Sequence, residues 1–319
     1  MIVKTLPIVF PPVETYQAVS FVLAVMMAHK NVSNSLYNKY IRIHGRNEEE
    51  IEDILLNFDD VLWAEYAADG LAELNLYHTK NLSKERFASF LRERIDQNCY
   101  ICLYHVDDYY LSHTPSYNRT HFSHDLYIYG YTENEFSVIA YKGMNLAMFN
   151  IPQEEVVDAV FLQEDENDKN FVTMRIVDNI EVPIDYKQIK RDIETYYNGG
   201  PQGSDKMKYG IETYDLIRKA LLLNEKLEVE ELDPRVFRML WEHKKLMTMR
   251  VKKIEEDKGI SGLCDICEKI EKQAYVLFTR VMKYWTSPSE QLRLQIVSRL
   301  DDLKNVDLEF GSRLLEVLD

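Results

Sequence analysis

The chain has 319 residues, 46% hydrophobic and 29% charged, with a formal net charge of -15. This length suits one large domain or two of medium size, and the acidic balance argues against nucleic acid, whose partners carry a basic surface. Four cysteines in so long a chain do not make a disulfide framework, so a cytoplasmic protein with reduced thiols is expected.

The first apolar run, Val19–Ala28 (VSFVLAVMMA), is too short to span a bilayer. Pro7, Pro11, Pro12 and Glu14 precede it without a basic segment, so it reads as part of a buried helix over Tyr16–His29, not as a leader. No membrane association is expected. Glu48–Leu56 reads as an amphipathic helix with Asn47 as its N-cap, and Lys84–Asp96 as another behind Ser83. The hydrophobic period then changes. Cys99–Val106, Leu126–Tyr131, Glu135–Tyr141, Val156–Leu162 and Phe171–Val177 read as strands. YTENEFSV supplies a hairpin turn between two of them, and QEDENDKN (Gln163–Asn170) a solvated acidic loop.

The clearest break is YYNGGPQGSDK, Tyr196–Lys206, punctuated by Gly199, Gly200, Pro201 and Gly203. Beyond it the pattern is helical. Val236, Leu240, His243, Met247, Val251 and Ile254 form one apolar seam, and Leu263, Cys267, Ile270, Ala274, Leu277 and Val281 a second. Ser287-Pro288-Ser289-Glu290 has the form of a capping box, with Ser287 as N-cap. The order implies an α+β domain of helices and antiparallel sheet over residues 1–197, a linker over 198–206, and an all-α helical bundle over 207–319.

Few motifs carry chemistry. Cys99/Cys102 and Cys264/Cys267 have C-x-x-C spacing, but the first pair lies in a strand-like run and the second in a helical seam. Buried small hydrophobes are the favoured reading, with metal and redox roles as the alternatives. Four of the eight histidines, His105, His113, His121 and His124, cluster in one segment, without the spacing of a helical metal pair. No glycine-rich phosphate loop and no G-x-S-x-G elbow occurs. No metal or cofactor is expected.

The segment Val106–Tyr141, VDDYYLSHTPSYNRTHFSHDLYIYGYTENEFSVIAY, resembles the butirosin biosynthesis protein H family and, more distantly, the papain-like peptidases that cut double-glycine leaders. Asp107 or Asp108 with Tyr109, Tyr110 and Leu111 matches an acidic strand-end element. His124 matches a histidine that opens a strand ending in Gly-Tyr. The resemblance implies a papain-like fold, followed by a helical domain. It also implies acyl transfer from a carrier-protein phosphopantetheine thioester to a small-molecule amine, in bacterial natural-product biosynthesis. The nucleophile in that family is a cysteine at the start of the N-terminal helix. Here that position falls near Ala18, and no cysteine precedes Cys99. Ser20 and Cys102 are the remaining nucleophile candidates beside His124. Tyr16, Asp108, Tyr110, His121 and Tyr141 are candidate substrate-binding residues. The orienting acid is expected on the strand after the turn, where only Ala140 and Tyr141 stand; Asp125 is expected to point to the opposite face from His124.

Three readings remain: an acyl- or amide-forming enzyme in which His124 activates the amine directly, an inactive relative that binds a carrier protein, peptide or small molecule, and an unrelated hydrolase or metalloprotein. An acidic carrier would need a basic patch, expected around Lys244, Lys245, Arg250, Lys252 and Lys253. The helical domain is also a candidate dimer surface. Under the first two readings, a cleft between the N-terminal helix and the sheet should hold His124 facing the start of that helix.

Overall fold

A computed structural model describes residues 2–47, 54–59, 63–142, 145–162, 170–199, 207–223 and 233–318. In chain order, the elements begin with β1 (Ile2–Thr5), α1 (Gln17–Ala28), α2 (Ser35–Asn38), β2 (Ile43–Asn47), β3 (Ile54–Phe58), α3 (Trp63–Ala68) and β4 (Ala72–His78). Then come α4 (Lys84–Asp96), β5 (Tyr100–Asp107), β6 (Ser123–Thr132), β7 (Glu135–Lys142), β8 (Asn145–Pro152), α5 (Gln153–Phe161) and β9 (Asn170–Ile176). The rest is α6 (Tyr186–Asn198), β10 (Met207–Tyr209), α7 (Thr213–Leu223), α8 (Pro234–Lys258), α9 (Leu263–Thr286) and α10 (Glu290–Leu318). The class is α+β, an antiparallel sheet followed by a helical region. No helix among the described residues is long and apolar enough to cross a membrane.

Two compact units divide the chain, Met1–Ser33 with Leu62–Val182, and Asn34–Val61 with Pro183–Asp319. The sequence boundary of 1–197 and 207–319 differs from this at both ends. It assigned β2, β3 and α6 to the first domain, whereas they fall in the second unit. The link over 198–206 begins with Asn198 as the last residue of α6 and Gly199 as its left-handed cap (φ 79°); residues 200–206 lie outside the described residues.

The first unit is built on an antiparallel sheet in the order β4-β9-β5-β6-β7-β8, with β1 added to β6. The apolar helix α1 has no polar face to present to water, so it is buried on most sides. Its Phe21 ring packs against Trp63, Tyr100 and Tyr127 at centroid distances of 5.2, 6.2 and 4.5 Å. β1 approaches β6 so closely that a Cβ at Gly130 would lie 2.9 Å from the Lys4 carbonyl oxygen. On β5, Leu103 pairs with Leu126 and Val106 with His124, so β5 carries one extra residue. His105, inside this bulge, has φ of 55°, a left-handed conformation uncommon outside glycine. Bulges re-aim the residues that follow them; here those are Asp107 and Asp108.

In the second unit, α8 starts at an Asp233 cap accepting from the Arg235 N–H at 2.8 Å, with Pro234 at the first position. Both predicted seams are buried as read. A small sheet in the order β10-β2-β3 completes the unit. Its polar centre is Asp307 of α10. The carboxylate accepts hydrogen bonds from the hydroxyls of Tyr196, Tyr197 and Tyr214 at 2.9, 3.1 and 3.1 Å and from Lys244 at 2.5 Å.

Several local expectations need correction. Of the predicted helix Glu48–Leu56, residues 54–56 are in strand β3 and residues 48–53 lie outside the described residues. Val156–Leu162 is not a strand. Val156, Val157, Ala159 and Val160 are the buried face of α5, and Glu154 and Glu155 in its first turn suit the positive end of the helix dipole. The cap of α10 is Ser289, whose hydroxyl accepts from the Leu292 N–H at 3.3 Å, while Ser287 closes α9. Of the loop Gln163–Asn170, residues 163–169 lie outside the described residues and Asn170 begins β9.

Candidate functional site

The DDYYL element forms a short 3-10 turn directly after the β5 bulge. The Asp107 carboxylate ties it down, accepting from the Tyr109 and Phe122 N–H groups at 3.0 and 3.3 Å. The Thr114 hydroxyl donates to the Asp108 carbonyl at 2.8 Å, folding the following loop back over the turn. This presents the Asp108 carboxylate to His124, near the start of β6, with Oδ2 3.4 Å from Nδ1. The carboxylate side chain is 10% exposed and the imidazole 44%.

β7 brings the start of α1 to the same place. The Tyr141 hydroxyl donates to the carbonyls of Glu14 and, at 2.9 Å, Thr15. Gln17, the first residue of α1, donates from Nε2 to the Ile139 carbonyl at 3.4 Å. The Tyr141 ring lies nearly parallel to the His124 ring, 6.3 Å away. Gln17, Asp108, His113, His124 and Tyr141, over an apolar floor of Leu111 and Leu126, surround a cavity of about 60 Å³. The expected cleft between the N-terminal helix and the sheet therefore exists, with His124 facing the helix start.

The structure divides the sequence-derived candidates. His124, Asp108 and Tyr141 meet at the cavity. Tyr16 is the N-cap of α1, next to Gln17. His121 forms a separate pair with Asp107, Nδ1 to Oδ2 2.6 Å, stacked on Tyr109 at 4.3 Å, and does not line the cavity. Tyr110 also stands outside it; its hydroxyl donates to the Leu162 carbonyl at 3.2 Å. Ser20 is fully buried and its hydroxyl donates to the Tyr16 carbonyl at 2.9 Å. Cys102 is buried opposite Tyr127 in the β5–β6 ladder, away from the cavity lining. Desolvation, aided by Asp125, pushes its thiol pKa well above the usual value, so it holds little of the nucleophilic thiolate.

The acid beside His124 is Asp108, not a residue of the strand after the turn. Asp125 is not turned wholly away either, since it also borders the cavity. Sequence reasoning missed Gln17 and His113. A signal existed for the first, an amide at the head of an otherwise apolar helix. His113 was visible only as one histidine of a cluster. Its ring packs edge-on to Phe149 at 4.8 Å. Its Nδ1 is shut from solvent with no hydrogen-bond partner among the described residues. Burial lowers its pKa from 6.5, against the opposing pull of Asp108 and Glu155, so the ring is neutral at pH 7.

Of the expected basic patch, Lys244, Arg250 and Lys253 are engaged within the fold, while Lys252 is exposed and Lys245 half-buried. Lys244 and Arg250 are each 1% exposed. Lys244 is paired with Asp307, and Arg250 donates to the carbonyls of Leu36, Tyr37 and Lys39. Lys253 is paired with Asp257. Among the described residues, no group of three or more His, Cys, Asp or Glu side chains could hold a metal ion. No protein-family model matches the chain, and comparison with curated proteins gives no match.

Proposed function

We propose that this chain transfers an acyl group from a thioester directly to an amine, with His124 as general base and Asp108 as the residue that orients it. The observation that carries this reading is the His124–Asp108 pair on a cavity at the N-terminus of α1. With Nδ1 turned to the carboxylate, Nε2 is the nitrogen that takes the proton. The amine nitrogen attacks the thioester carbonyl, and the imidazole accepts its proton. The C–S bond breaks, and the imidazolium protonates the departing thiolate, giving an amide and a thiol. The positive end of α1 favours the oxyanion that forms on the way. A carrier-bound phosphopantetheine thioester is the donor implied by the resemblance to the butirosin biosynthesis protein H family. A cytoplasmic location follows from the same reading.

A second reading is favoured by one observation: neither candidate nucleophile, Ser20 nor Cys102, lines the cavity. The chain would then bind an acylated carrier or small molecule without turning it over.

Intact-mass analysis of a thioester-loaded carrier, and separately of an N-acetylcysteamine thioester, with an amine present separates the two. Unloading that falls at least about 100-fold in His124→Ala and about 10-fold in Asp108→Asn supports catalysis by the dyad. Unloading at the uncatalysed rate with every protein supports the binding role.

A further inference from the structure

The cavity holds about 60 Å³, room for only a few water-sized groups, so a substrate enters only if a wall moves. Most of its walls are tied to distant parts of the chain. The Tyr141 hydroxyl holds the start of α1 at the Glu14 and Thr15 carbonyls, and Gln17 holds it at the Ile139 carbonyl. β6 and β7 are paired in the sheet. The remaining wall is Leu111, His113, Thr114 and Pro115, part of a loop built from its own turns. Within it the Thr114 N–H donates to the Leu111 carbonyl, and the Arg119 and Thr120 N–H groups donate to that of Ser116. The Asp107 carboxylate clasps both ends, accepting from the Tyr109 and Phe122 N–H groups through one oxygen and pairing with His121 Nδ1 through the other. Compact loops with joined ends of this kind behave as units. Among the described residues, one hydrogen bond ties the loop body to another element, from the Ser112 N–H to Glu155 Oε2 of α5 at 2.9 Å. The Thr114 hydroxyl and the Asn118 N–H bond back to the Asp108 and Tyr109 carbonyls at its base.

His113 seats this loop on the sheet. Its ring packs on Phe149 of β8, and its Nδ1 is shut from solvent with no hydrogen-bond partner among the described residues. A polar atom buried in this way destabilises the closed loop relative to any arrangement in which water reaches it. The charged and titratable groups around the ring are Asp108 at the loop base, Glu155 of α5, Lys142 and Tyr141 of β7, and His124 and Asp125 of β6. Burial outweighs the pull of the two nearest carboxylates and keeps the ring neutral. Once in water, an imidazole takes up a proton below about pH 6.5. The open loop then binds more protons than the closed one, so acid favours opening. We propose that Leu111–Thr120 is a lid on the cavity, latched by the buried His113 ring and the Glu155 tether, which swings on the Asp107 clasp and opens more readily when His113 is protonated. Only the need to admit a substrate rests on the acyl-transfer reading; lid opening is measured without one.

Ala140 lines the cavity and is 4% exposed. It stands opposite Ala147, two residues before Phe149 on β8, and so lies on the sheet face that His113 covers. Ala140→Cys therefore places a thiol beneath the lid. Its reaction with a dithiodipyridine reagent, followed by peptide mapping near pH 7.5 and pH 5.5, reads opening, while the buried Cys102 in the same chain reads unfolding. The new thiol should react at least tenfold faster than Cys102. Adding His113→Phe, which keeps a ring on Phe149 and removes the unpartnered nitrogen, should slow it at least about fivefold near pH 7.5. That gap should widen by up to about tenfold near pH 5.5, where the open histidine is charged. Adding Glu155→Ala should speed the reaction about fivefold. A thiol no faster than Cys102, or equal rates with and without His113→Phe at both pH values, overturns the proposal. Should His113→Phe fail to fold, an unchanged rate in Glu155→Ala overturns it equally. A latched thiol in a protein that unloads no thioester sinks the catalytic reading alone. Unloading by a protein whose thiol ignores both latches sinks the lid alone.

Discussion

Lys244→Met isolates a fully buried ion pair in the second unit. Lys244 and Asp307 are 2% and 3% exposed at the side chain, and Nζ sits 2.5 Å from Oδ2. Methionine keeps most of the aliphatic stem and removes the ammonium, leaving Asp307 buried beside three tyrosine hydroxyls. Removing one partner of a buried pair typically costs about 3–5 kcal/mol. The tyrosine donors remain, at about 1 kcal/mol each, which draws the expected loss toward the lower end, about 3 kcal/mol. Urea unfolding followed by tryptophan fluorescence in a Trp63→Phe background reads the second unit alone, because Trp241 and Trp285 both lie within it. The double variant Lys244→Met/Asp307→Asn should recover more than half of the loss, since the amide oxygen still accepts from the tyrosines. A loss below about 1 kcal/mol in the single variant, or a double variant no more stable than the single, would refute this account of the cluster.

The same assay across pH tests His243, whose pKa burial drives well below 6.5 while Nε2 contacts the Ile41 carbonyl at 2.9 Å. The unfolded chain takes up a proton below about pH 6.5 and the folded chain does not, so stability should fall with acidification from there, by up to about 1.4 kcal/mol per pH unit; a His243→Gln variant with an equally steep fall would assign it to other groups. Iodoacetamide at pH 8, followed by peptide mapping, should modify the partly exposed Cys264 well before the buried Cys102, with at least a tenfold rate difference. Equal rates would return Cys102 to consideration as a nucleophile.

Legibility followed the strength of the local pattern. α4, α8 and α9 carry long periodicities and α1 a long apolar run, and each lies close to where it is expected. β5, β6, β7 and β9 were equally plain, because their apolar runs fill the middle of the sheet. β4 was missed because it pairs on one side only and most of its side chains are exposed, which leaves little pattern to read. α5 was misread because valines favour strands in isolation, and only packing on the sheet decides for the helix. At the site, His124, Asp108 and Tyr141 could be picked out from a sequence resemblance. Their partners could not. The pairing of Asp108 with His124 depends on one extra residue in β5, and no composition or spacing rule announces a bulge at Tyr104–His105. His113 reaches the cavity through a loop that Thr114 pins to the Asp108 carbonyl, a contact fixed in space and not by any repeat.

The placement of the nucleophile candidates limits what chemistry this cavity could perform. A covalent acyl intermediate requires a side chain that attacks first and is relieved later. Ser20 directs its hydroxyl to a backbone carbonyl, and Cys102 is held protonated in the ladder. Direct transfer instead requires donor carbonyl and acceptor amine to be held together, with one group for the oxygen and another for the proton. The cavity sets one imidazole, His124, against the Asp108 carboxylate near the start of α1, so an amine held beside a thioester carbonyl there would have a proton acceptor at hand. The missing thiol therefore does not by itself decide between a catalyst and a binder. What decides is whether the cavity can admit an amine beside an acyl group, and a volume of about 60 Å³ confines any such reaction to short acyl chains.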